Sequence, residues 1–163
     1  MLYRCVMPTP GRPARIGFLL TQLGSLAAEN FAAKTRELGI TPPEAGVMRI
    51  LGRQAGMNQR ELAEKLGVAQ SRVVALVDSL ESVGLVIRER SAIDRRSQVL
   101  QVTDSGRELL TGLRSAAETQ EAELVAGLNM EDRDQLYELL LKLGDARGLD
   151  RDVHPGYRGT SRT

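Results

Sequence analysis

The sequence has one cysteine, Cys5, one histidine, His154, and no tryptophan. A single thiol excludes an intrachain disulfide and a thiolate zinc site, and a reducing, intracellular setting fits. Aromatic residues make up only 3% of the 163 positions, which favours helices packed on Leu and Ala. No run approaches about 18 uninterrupted apolar residues, and prolines break the start (MLYRCVMPTPGRPARIG) where a signal peptide needs its apolar stretch. A cytoplasmic protein without a membrane partner is expected. An excess of one charge is missing too: 22 basic against 21 acidic residues leave a net charge of +1, so any grip on an acidic partner must come from local clusters. His154 lies in a polar tail, with no nucleophile motif, metal-ligand cluster or Gly-rich phosphate loop beside it. Acid pairs such as Glu121 and Glu123 read as the solvent face of a helix. Neither an enzyme nor a bound cofactor or metal is expected.

What the chain does have is 42% hydrophobic and 26% charged residues, enough for one domain of ordinary size. Residues 1–13 hold three prolines and no periodicity and read as a flexible arm, and 145–163 as a polar, Gly-rich tail. Within 14–38, Ile16, Leu19, Leu20, Leu23, Ala27 and Phe31 recur at the spacing of a helix with one buried stripe. Thr41, Pro42 and Glu44 have the order of a capping box that opens a second helix. Asn58 and Glu61 repeat the device for a short third helix, which turns Leu62 and Leu66 inward and ends at Gly67 as a left-handed C-cap. Val73, Leu76, Val77, Leu80 and Val83 then predict a fourth helix ending at Gly84. Two helices around so short a turn predict a helix-turn-helix.

The period next changes from 3.6 to 2: Leu85, Ile87 and Glu89 point one way, and Val86, Arg88 and Arg90 the other. Gln98 to Val102 alternates again, so a hairpin is predicted with Leu100 opposite Ile87, Val102 opposite Leu85, and Ser91 to Ser97 as its loop. Thr103 caps a long helix carrying Leu109, Leu110, Leu113, Ala116 and Ala117, then Leu124 and Leu128. Asn129 with Asp132 opens a last helix expected to bury Leu136, Leu139, Leu140 and Leu143.

The expected fold is therefore mainly α with a small β-hairpin wing, a winged helix-turn-helix. Such a fold lays one helix in the DNA major groove while the hairpin reaches the backbone or minor groove. Gln70, Ser71 and Arg72 open the fourth helix, where Arg72 can address guanine O6 and N7 and Gln70 adenine or a phosphate. Arg88, Arg90, Arg95 and Arg96 crowd the wing, and guanidinium groups suit phosphate and narrow minor grooves. The same residues also fit a solvated helix end and a solvated charge run. Two other functions share the fold: a protein-docking module whose arginines meet an acidic surface, and an architectural DNA-binding protein without sequence preference.

From about Arg15 to Leu143 the chain resembles the multiple-antibiotic-resistance regulator (MarR) family of dimeric winged-helix transcription factors. The matching stretches are ELAEKLGV, LVDSLESVGLV from Leu76 to Val86, and IDRRSQVLQVTDSG from Ile93 to Gly106. The family often has Ser at the cap of the recognition helix and Thr-Arg along its exposed face, where this chain has Ala69, Val74 and Ala75. The resemblance implies that Arg96 enters the minor groove, that Asp94 orients it and that Arg95 binds phosphate. Asn58 and Gln59 would meet the DNA backbone. It assigns 14–38 and 104–144 to dimerisation helices and 41–103 to a DNA-binding lobe, with Ile16, Leu19, Leu136, Leu140, His154 and Tyr157 at the dimer interface. A homodimer on a pseudo-palindromic operator is implied, modulated by a small aromatic or phenolic effector or by an oxidant acting on a cysteine. Phe31 and Met48 are candidates for an effector pocket, although their spacing also fits ordinary core. Cys5, in a Pro-rich arm with Arg4 nearby, lacks the electropositive structured site that favours thiolate.

Overall fold

The computed structural model describes residues 15–90, 97–154 and 157. The expectations placed on Cys5 and on Asp94, Arg95 and Arg96 at the wing tip lie outside the described residues. In chain order come α1 (Ile16–Glu37), α2 (Pro42–Arg53), α3 (Gln59–Leu66), α4 (Gln70–Ser82), β1 (Val86–Arg90), β2 (Gln98–Val102), α5 (Asp104–Leu124) and α6 (Met130–Ala146). Both predicted capping boxes form: Thr41 with Glu44 opens α2, and Asn58 with Glu61 opens α3. Gly67 takes the left-handed conformation, with φ 67°, and so allows the tight turn into α4. Ala69 gives α4 no side-chain cap, which leaves the first N–H groups of that helix open to an outside acceptor.

The core lies in the lobe made by α2, α3, α4 and the hairpin. Val47, Met48, Leu62, Leu66, Val73, Val77, Leu80 and Val86 are fully buried there, and Leu100 nearly so. Burial of each such side chain contributes about 1.5–3 kcal/mol. Met48 sits at the centre of this cluster and Phe31 packs against its edge, so Met48 is a core residue.

The hairpin is antiparallel as expected but one residue out of the predicted register. Val86 lies opposite Val102 and Arg88 opposite Leu100. Leu85, Val86 and Ile87 are three apolar residues in a row, so alternation alone could not say which of them points inward. Packing selects Val86: it is fully buried, whereas Ile87 is 40% exposed. Two backbone bonds lock this phase, Leu100 N–H donating to Met57 O at 2.8 Å and Thr103 N–H to Leu85 O at 3.1 Å. A one-residue slip would put Val86 and Leu100 on opposite faces and turn one of them to solvent.

The end helices also depart from expectation. Thr35 is the only buried residue of α1, and Ile16, Leu19, Leu20 and Leu23 stand exposed. No residue of α6 is buried, so Leu136, Leu139, Leu140 and Leu143, expected in the core, lie on the outside of the protomer. The apolar periodicity is real, but the described residues of the single chain set no surface against it. No helix among the described residues is long and apolar enough to cross a membrane.

Glu44 ties α2 to α4. Burial raises its pKa, but bonds from the Ser79 hydroxyl, the Thr41 hydroxyl and the Thr41 N–H outweigh this and hold it below the ordinary carboxylate value. A carboxylate whose folded pKa is depressed stabilises above its unfolded pKa, and the gain is lost as pH falls through the folded pKa. Glu44→Ala is expected to cost about 2 kcal/mol at neutral pH, from the cap and the buried bonds together. Urea unfolding followed down the acid side should show a shallower loss of stability in the variant.

Candidate nucleic-acid interface

Three chain segments converge in front of α4. Asn58 caps α3, which carries Gln59 and Arg60 on its first turn; α4 begins at Gln70; and the hairpin brings Arg88, Arg90, Ser97 and Gln98. Together they line one open cleft with Leu100 at its floor. Arg60 pairs with Glu64 one turn on, at 3.0 Å, and Arg90 is exposed.

Arg88 plays another part. Its guanidinium, mostly buried, pairs with both Asp78 and Glu81 of α4, and its backbone N–H donates to Glu81 at 3.2 Å. With the Gln59 amide oxygen turned toward it, Gln59 accepts from Nη2 at 2.8 Å and from Nε at 2.9 Å. One guanidinium thus ties β1 to α3 and α4 and pairs with two carboxylates beside the cleft, offsetting one of their two negative charges, a use that Arg serves better than Lys because of its rigid fork of donors. Arg88 sets the geometry of the cleft, leaving Arg60 and Arg90 as its outward cations.

Asn58, Gln59 and Gln70 therefore come together. Arg72 does not join them: at about 100° per residue it lies roughly 200° around α4 from Gln70. There its Nη1 donates to the Tyr157 carbonyl at 3.2 Å. Ser71 is exposed between the two. Ile16, Leu19, Leu136 and Leu140 are all exposed, as is His154. Tyr157, expected at a subunit interface, is instead packed into its own protomer, its hydroxyl donating to the Pro43 carbonyl. Burial raises its pKa to about 12, with the Arg49 and Arg72 cations pulling the other way. Sequence reasoning missed Arg60, Arg90, Ser97 and Gln98 as lining residues. The signal for Arg90 was present, because alternation already set it on the same face as Val86 and Arg88. Arg60 stands on the first turn of α3, two residues beyond its Asn58 cap.

The architecture has counterparts among known proteins. Residues 38–97 match the MarR family. A Thauera aromatica protein named as a regulatory protein for the hcr operon is 32% identical over 130 residues, 78% of each chain. The chain belongs to the MarR family. As a MarR family protein it is a transcriptional regulator, not an enzyme. The transcriptional repressor CouR bound to a 23-mer DNA duplex is 33% identical and superposes with a TM-score of 0.68, covering 80% of this chain and 92% of that one. CouR from Rhodococcus jostii RHA1 bound to p-coumaroyl-CoA is 27% identical, with a TM-score of 0.65 over 83% of this chain and 95% of that one. The transcriptional repressor Rv2887 of Mycobacterium tuberculosis is 28% identical over 80% of this chain and 94% of its own.

Proposed function

We propose that this MarR family regulator acts in the cytoplasm as a homodimer on a pseudo-palindromic DNA operator. The observation that carries this reading is the cleft between α3, α4 and the wing, where Asn58, Gln59, Arg60, Gln70 and Arg90 converge beside an uncapped helix N-terminus. Backbone phosphates meet Asn58, Gln59, Arg60 and Arg90; Gln70, Ser71 and Arg72 enter the major groove from the two flanks and the end of α4. At the wing tip Arg96 enters the minor groove, Asp94 orients it and Arg95 holds phosphate. One winged helix makes few base contacts, so two copies related by a two-fold axis are needed for tight binding, with half-sites about one helical turn apart. The exposed apolar faces of α1 and α6 supply the joint. An aromatic effector is supported by the CouR complex with p-coumaroyl-CoA, an aromatic acyl thioester, and repression by the relatives named as repressors.

The alternative is a docking module for an acidic protein surface. A gel shift with random-sequence duplex at low salt separates them, since a regulator's phosphate contacts bind any duplex under those conditions. A shift that fades as salt rises is expected. No shift at any protein concentration would favour docking.

A further inference from the structure

Beyond α6 the tail returns to the DNA-binding lobe and fastens there at two points. At the first, the Asp152 carboxylate pairs with Arg53 and its carbonyl accepts from Arg49, with Val153 buried beside them. At the second, Tyr157 is 6% exposed and lies against Gly46 in the interior of α2. A Cβ at Gly46 would fall inside the phenol. That explains a glycine in mid-helix, where it weakens the helix relative to Ala. The hydroxyl then donates to the Pro43 carbonyl, so both the ring and its polar end are held.

From this anchor one bond reaches the recognition helix, the 3.2 Å bond from Arg72 Nη1 to the Tyr157 carbonyl. A neutral carbonyl takes one of five guanidinium N–H groups. Among the described residues the Nε–Nη2 edge has no acceptor, and that edge is a parallel pair of donors of the kind that matches guanine O6 and N7. An exposed arginine otherwise loses its rotamer freedom on binding. We propose that Tyr157 is a positioning residue for Arg72: fixed over Gly46, it holds one side of the guanidinium and leaves the other set for base reading. This rests on the reading of Arg72 as a base contact, and it makes the tail part of the DNA-reading apparatus.

The test uses the full chain, a duplex that the protein itself has enriched from a random pool, and a random-sequence duplex. The readout is the ratio of the two affinities, with thermal melting as a check on folding. Tyr157→Ala and Gly46→Ala, the second touching neither Tyr157 nor Arg72 in sequence, should each lower the ratio about tenfold, part of one bidentate contact. Arg72→Ala should lower it at least as much, and adding Tyr157→Ala to it should change nothing further. Tighter binding to the enriched duplex by Tyr157→Ala would mean that the tail competes with DNA, and would overturn the proposal. So would an equal loss on both duplexes, which is what mere destabilisation does, or the same tenfold loss of ratio again in the Arg72→Ala background, which would mean that Tyr157 does not act through Arg72. If Arg72→Ala leaves the ratio unchanged, the base-contact reading fails first. If it lowers the ratio while Tyr157→Ala and Gly46→Ala do not, only the positioning role fails.

Discussion

Leu23→Asp combined with Leu140→Asp is expected to turn the protein into a folded monomer that no longer retains an operator duplex. Leu23 and Leu140 are 52% and 43% exposed, on α1 and α6 respectively. Phe18, Leu19 and Leu20 accompany the first, and Leu136, Tyr137 and Leu139 the second. A monomer rarely leaves so much apolar surface in water, and charge placed within a buried joint costs several kcal/mol when unpaired. Neither Leu23 nor Leu140 belongs to the lobe core, so the doubly substituted chain should still melt cooperatively. Sedimentation should give twice 17.8 kDa for the parent and 17.8 kDa for the variant. Losing the linked second half-site should weaken operator binding by about 100-fold or more, the scale on which avidity acts. A parent that sediments as a monomer would overturn the dimer, and a variant that stays dimeric would place the joint elsewhere.

The second large effect is expected at the wing tip. Arg96→Ala should weaken operator binding by about tenfold or more per half-site, the range of one good base contact, and flatten the dependence of affinity on salt. Asp94→Ala is the sharper case. Removing this acid should strengthen binding if charge alone mattered. If Asp94 instead aims Arg96, its loss returns rotamer freedom to the guanidinium and weakens binding. Filter binding across a salt series distinguishes the two: a weaker Asp94→Ala supports orientation, and a tighter one supports simple repulsion.

Local chemistry made most of the fold legible. Thr41–Glu44 and Asn58–Glu61 are reciprocal caps written within four residues each, and both form. The strand phase was not legible, because Leu85, Val86 and Ile87 satisfy either face, and only packing of Val86 beside Leu100 decides between them. The leucines of α1 and α6 gave the right helices and the wrong surroundings: periodicity reports an apolar stripe without saying whether the same chain covers it. At the cleft, the helix starts that bring Asn58, Gln59 and Gln70 together were legible in the sequence. The tie of Arg88 to Asp78 and Glu81 and that of Arg72 to Tyr157 were not, since they join positions whose proximity comes from the tertiary fold.

The most direct measurement is selection of duplexes by the intact protein from a random DNA pool at near-physiological salt. A family of sites with inverted half-sites about one helical turn apart is predicted, read through α4 on both copies. Duplexes retained without any shared sequence would contradict it and favour an architectural protein; no retained duplex at all would remove DNA as the target.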